Sequence, residues 1–210
     1  MISEQTDDVT EKKLDFLANW QFQDYLSFGY IYLLLLGIVS DSIYYGMVGI
    51  NVISYSTILD VLLSPIVRLT DNIVLPAVII VLPVVGYFYI KLIVFLEKKK
   101  RERMKNSDDS KKKIKIEQLN MRTVWFAFTC LIIFTTFMGY GVGGGSKQRD
   151  YLESGDFKTN KILEFQDGRT EEVRVIGNNS EYVFYLEVGK NSVSVSPIKD
   201  NIRVIRELSK

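Results

Sequence analysis

The chain has 210 residues, with 26 Lys and Arg against 25 Asp and Glu, and 47% of it is hydrophobic. A formal charge of +1 gives no global attraction to nucleic acid, and the absence of histidine removes His-based acid–base catalysis, Ser-His-Asp triads and nearly every zinc site. One cysteine, Cys130, excludes a disulfide within the chain, so no catalytic, cofactor-binding or metal-ligating residues are expected.

Residues 1–24 hold six acids against Lys12 and Lys13, which is not the pattern of a cleaved secretory signal. Asp8 and Glu11 suit a helix cap and its third-position partner, and Leu14, Phe16, Leu17 and Trp20 follow at helical spacing. The segment reads as an amphipathic interfacial helix, with a partner-binding helix as the alternative.

Residues 25–142 read as a transmembrane bundle. About 20 apolar residues cross a ~30 Å hydrocarbon core as a helix. Three runs qualify: residues 26–50, whose only charge is Asp41; residues 73–96, interrupted by Pro76, Pro83, Gly86 and Lys91; and residues 123–142, which carry no charge. Between the first two, residues 51–72 are apolar but broken by Asp60, Ser64, Pro65, Arg68 and Asp71. Backbone that leaves helix geometry at membrane depth must be buried in protein or line water, so a broken, re-entrant or surface-lying pair of short helices is expected here, with a fourth crossing as the alternative.

The loop 97–122 carries eleven basic residues against five acids. Short loops rich in Lys and Arg stay on the cytoplasmic side, which puts the N-terminus inside and everything after Val142 outside. Lys98, Lys99, Lys100, Arg101 and Arg103 are candidate contacts for anionic lipid headgroups. Nucleic acid is not an expected partner, because no aromatic residue is interleaved with these charges.

Five glycines fall in residues 139–146, a composition that predicts a flexible joint and linker over 143–160. From 161 to 210 the period becomes two, with turns at Asp167-Gly168, Gly177-Asn178-Asn179 and Gly189-Lys190-Asn191. Five short strands are expected, closed into a small all-β SH3-like or OB-like barrel. Tyr182, Phe184, Leu186 and Val188 should share one strand face, with Val193 and Val195 opposite and Val183 and Tyr185 on the other side.

Charged residues at membrane depth are functional candidates. Asp41 could face the bundle, pair with Arg68, line a wet cavity or lie at the headgroup rim. Asp60 lies eight residues before Arg68, near the same helical face, which allows an Asp60–Arg68 ion pair as well as a gate or ion site. Pro76, Pro83 and Gly86 mark a candidate kink or gate. Thr129, Thr135 and Thr136 can bond between helices and favour a homo-oligomer.

These readings lead to a non-enzymatic, multi-pass protein of the bacterial cytoplasmic membrane, suggested as bacterial by its Lys, Ile and Asn usage. It is expected to act as an oligomeric channel, pore or membrane-perturbing element with an appended sensor or assembly domain. The alternative is an accessory membrane protein that recruits a protein partner through its β domain or basic loop, without transport. In layout, a few membrane helices followed by a small β-barrel, the chain is similar to membrane-disrupting effectors of bacterial anti-phage defence. That resemblance implies a cyclic-nucleotide signal read by the barrel on the cytosolic side, whereas the charge pattern puts this domain outside.

Overall fold

The computed structural model describes residues 20–71, 73–103, 121–190 and 192–208. Most of the expected N-terminal interfacial helix (residues 1–19) and the centre of the basic loop (residues 104–120) lie outside the described residues. The chain then runs through α1 (Phe22–Gly46), a 3-10 turn (Val52–Tyr55), α2 (Ile58–Asp71), α3 (Val74–Arg103), α4 (Met121–Ser154) and strands β1 (Lys161–Phe165), β2 (Thr170–Asn178), β3 (Tyr182–Glu187), β4 (Val193–Pro197) and β5 (Ile202–Glu207). Residues 22–46, 74–93 and 125–154 form helices long and apolar enough to cross a membrane.

The chain divides into two compact units, Met1–Phe28 with Asn72–Thr136, and Gly29–Asp71 with Phe137–Lys210. In the first, α3 is apolar from Val74 to Ile93 apart from Lys91, and within that stretch only Leu75 is buried. Its contacts with the start of α4 are aromatic: Tyr87 meets Trp125 edge-on at 5.7 Å, and Gly86 leaves room for the Phe128 ring. Trp20, Phe28 and Phe126 form a second aromatic group, with Phe28 and Phe126 5.5 Å apart. Pro76 falls in the first turn of α3, where its missing N–H leaves no helical bond unmade, while Pro83 is inside the helix.

In the second unit the sheet has the order β4-β3-β2-β1-β5, antiparallel throughout. The expected five strands form, but the sheet is not closed into a barrel: β4 and β5 remain as edges. Phe184 faces Val195 and Leu186 faces Val193 across the β3–β4 pair, as the alternation predicts. Val188 lies beyond the end of β3 and is exposed.

Both faces of β3 are buried. Val183 and Tyr185 pack with Leu163, Phe165, Val173 and Ile202 of the sheet itself. Phe184 and Leu186 instead pack with Tyr45, Val48, Ile50 and Val52, at the end of α1 and just after it. A bulge between Val175 and Gly177 makes Ile176 the extra residue of β2 and turns it to the helix side of the sheet.

The glycine run is not a joint. Helix α4 continues through it and stops at Ser154, where Gly155 takes φ +67 and donates to the Tyr151 carbonyl at 3.0 Å. The glycines serve close approach instead. A Cβ at Gly141 would lie 2.8 Å from the Ser40 carbonyl, and one at Gly145 would lie 2.7 Å from that of Tyr44. With no side chain at these positions α4 runs alongside α1 at backbone contact, in parallel, because later residues of α4 meet later residues of α1.

Within residues 51–71 lie two short helical elements, Val52–Tyr55 and Ile58–Asp71, as expected for a broken segment. At 14 residues, α2 spans roughly 21 Å and falls short of a ~30 Å hydrocarbon core, so it does not supply a fourth crossing. Pro65 lies inside α2 and is buried. It cannot donate to the Val61 carbonyl, and that carbonyl turns against Gly37 of α1, occupying the space a Cβ there would need. The proline and the glycine explain each other.

A candidate ligand cleft at the helix ends

In the second unit α1, α2 and α4 bring together a polar knot. Asp41 and Arg68 form an ion pair whose side chains are only 11% and 12% exposed. The Ser64 hydroxyl donates to Asp41 Oδ1 at 2.8 Å, and Arg68 Nη1 donates to Ser40 Oγ at 3.1 Å. Ser40 in turn donates to the Phe137 carbonyl of α4 at 3.3 Å. The Tyr44 and Tyr140 rings lie 5.2 and 4.9 Å from the guanidinium carbon. Residues 64 and 68 of α2 are one turn apart, so a single face of α2 addresses residues 40 and 41 of α1. A charge pair this buried holds its partners in one geometry, since removing one leaves the other uncompensated.

Asp60 does not pair with Arg68. It closes a reciprocal cap at the start of α2: the Thr57 N–H donates to Asp60 Oδ2 at 2.9 Å, and the Asp60 N–H donates to Thr57 Oγ1 at 3.2 Å. The same carboxylate accepts from the backbone N–H and the hydroxyl of Ser180 at 3.1 Å each, tying the β2–β3 turn to α2. Partial burial alone would push this carboxyl up, but the donors of Thr57 and Ser180 outweigh it and hold it below its ordinary range. Asn179 adds a bond to the Tyr55 carbonyl at 2.8 Å.

A third tie runs through Tyr44, whose hydroxyl donates to the Ile176 carbonyl at 3.1 Å and accepts from Gln148 Nε2 at 3.2 Å. Arg174 Nε donates to Gln148 Oε1 at 3.2 Å, and its guanidinium sits 3.9 Å from the centre of the Tyr151 ring. The bulge at Ile176 is what points that carbonyl at the helices.

Between these ties opens a cleft of about 500 Å³, walled by α1, α2, Tyr140 of α4 and the β2–β3 turn. Asp41, Asp60 and Arg68, three candidates from the sequence, all line it, although they do not form one ion-paired group. The kink candidates Pro76, Pro83 and Gly86 belong to the other unit, and Gly86 there provides ring contact. Lys98, Lys99, Lys100, Arg101 and Arg103 fall in the last turns of α3. Sequence reasoning missed Ser40, Ser64, Tyr44, Tyr45 and Tyr140. The four-residue spacing of Gly141 and Gly145 was the available signal for the helix contact that frames them.

Among the described residues no group of three or more Cys, Asp or Glu side chains is placed to hold a metal ion. No protein-family model, curated protein or solved structure matches this chain.

Proposed function

We propose that this is a non-enzymatic membrane protein whose sheet domain senses a ligand or partner and transmits that state to the membrane helices. In this reading the helices assemble as a homo-oligomer that conducts or perturbs the bilayer. The observation that carries it is the continuity of the second unit: the sheet shares a core with the end of α1 and is tied to α1, α2 and α4 through Tyr44, Asp60 and Gln148. A domain on a flexible tether could not bias helix positions; one bonded to three of them can. The unburied apolar surface of α3 supports lipid or sister-subunit contact.

The orientation proposed is N-terminus and basic loop in the cytoplasm, sheet outside. Parallel running of α1 and α4 supports it, because the basic segment precedes α4 and the sheet follows it. A place among bacterial anti-phage effectors rests on layout alone, and the cleft does not favour an anionic nucleotide: both terminal nitrogens of Arg68 donate within the protein.

Purified protein in liposomes should release a small trapped ion or dye in proportion to the amount reconstituted. Liposomes that stay sealed with folded protein inserted, with and without ligand, would overturn the conducting reading. The accessory reading has its own supporting observation, the free edges of β4 and β5, which could accept a strand from a partner. A protein that always purifies alone after mild solubilisation would count against it.

A further inference from the structure

We infer that the cleft binds a small organic cation, an alkylammonium of metabolite size, with its carbon stem on apolar wall and its charged head among acceptors. The inference rests on reading the cleft as the input site, and names the chemistry of the input.

Charge is the first observation. Three carboxylates line the cleft, Asp41, Asp60 and Asp71, against the single guanidinium of Arg68. An anion entering here would meet a net negative wall and a cation already committed, since Arg68 donates to Ser40 and Asp41 and its faces are covered by Tyr44 and Tyr140. A cation meets the opposite situation. Asp60, held below the usual carboxylate range, stays ionised, and the Asp71 carboxylate makes no hydrogen bond or ion pair among the described residues.

The second observation is independent of charge. Tyr45 is only 8% exposed, and its hydroxyl makes no hydrogen bond to any described residue. A phenol this buried normally finds a partner. Tyr45 lines the cleft, and its hydroxyl lies against Gly177, where any Cβ would collide with it. The ring is buried while the glycine leaves the hydroxyl open towards the cavity instead of covering it. Val52, Leu63 and Phe184 supply the apolar wall for a short carbon chain. At about 500 Å³ the space suits a molecule of a few to a dozen heavy atoms.

The test uses the full chain in detergent, titrated by calorimetry and thermal melting with four-carbon probes: 1,4-diaminobutane and n-butylammonium, against 1,4-butanediol and butyrate. The ammonium probes should bind and raise the melting temperature, while the neutral and anionic probes leave it unchanged. Tyr45→Phe and Asp71→Asn, both conservative, should each weaken ammonium binding, Asp71→Asn by about tenfold. Gly177→Ala should weaken it too by pressing on the Tyr45 hydroxyl. Butyrate binding as well as the amines, affinity unchanged in both conservative variants, or no binding by any probe at ~10 mM would overturn the inference. Because binding is read without flux, cation binding in a protein that leaves liposomes sealed would sink the conducting reading and leave this one standing.

Discussion

Helix α4 packs by opposite means in its two halves. From Met121 to Thr136 it presents large rings: Trp125 and Phe126 meet Tyr87, Phe28 and Trp20 at ring spacings of 5.5 to 6.3 Å, and Phe128 lies over Gly86. From Phe137 to Ser154 it presents Gly141, Gly144 and Gly145, and the backbone of α1 comes to contact distance. Rings fill space and tolerate small displacements, because their contacts are non-directional and spread over many atoms. Backbone contact leaves no such slack, and it is in this half that the directional bonds are found. Hydrogen bonds from Ser40 to Phe137 and from Gln148 to Tyr44 require α1 and α4 to be held within tenths of an ångström. The glycine half is a rigid mount for a polar site, and the aromatic half is a compliant packing surface.

The largest effect should come from removing one member of the buried pair. Arg68→Ala leaves Asp41 uncompensated, and about 3–5 kcal/mol of stability should be lost in a thermal or denaturant melt of the solubilised protein. Pairing that change with Asp41→Leu should recover most of the loss. If Arg68→Ala alone melts like wild type, the ion pair does not organise the site. Next comes Gly145→Val, where a branched side chain would press on the Tyr44 carbonyl and on Met47. An overpacking cost of about 3 kcal/mol is expected there, with loss of binding in the cleft. In the aromatic half Phe126→Leu, a half-buried change of similar volume, should cost under about 1.5 kcal/mol. Equal costs at the two positions would erase the distinction between the halves.

The helices and strands were legible because their signals are local. Unbroken apolar runs and a period of two between Gly, Asn and Asp turns need no knowledge of distant residues, and Val193 and Val195 met Leu186 and Phe184 as alternation required. The use of Gly141 and Gly145 was misread because glycine composition alone is ambiguous: the same residues loosen a free chain and tighten a helix pair, and only the partner backbone decides between them. The sequence allowed Arg68 either Asp41 or Asp60 as its partner and could not choose between them. The eight-residue spacing of Asp60 to Arg68 was correct on α2, but Thr57 and Ser180 satisfied the carboxylate first, and Arg68 found Asp41 on another helix. Closure of the sheet was expected from strand number, whereas the second face of β3 is covered by the end of α1, so burial does not require a barrel.

Asp60→Asn gives a smaller effect with a definite sign in pH. Its carboxyl is held below the ordinary value of 3.8, so the folded state binds this proton less readily than the unfolded chain. The stability this contributes is present above that ordinary value and is lost as pH falls through the lower, folded one. At neutral pH the substitution should cost about 1 kcal/mol, through the weakened cap and the weakened tie to Ser180. Below pH 4 the difference between variant and wild type should shrink. A gap that widens in acid would mean that Asp60 is not the ionised acceptor described.

The smallest change sharpens the comparison from the other direction. Gly143 lies in the glycine half, but nothing is within 4 Å of a Cβ there, unlike at Gly141 and Gly145 two residues to either side. Alanine is favoured over glycine inside a helix by about 0.5–1 kcal/mol, chiefly because glycine has more backbone freedom to lose. If α4 touches α1 only through its other face, Gly143→Ala should raise the melting temperature of the solubilised protein by that small amount. Gly141→Ala, placed 2.8 Å from the Ser40 carbonyl, should lower it. A pair of alanines two residues apart with opposite signs would show that backbone contact with α1, and not glycine content, makes this half of the helix rigid. Should Gly143→Ala also destabilise, another surface presses on that face in the folded protein, and its concentration dependence would reveal whether a second copy supplies it.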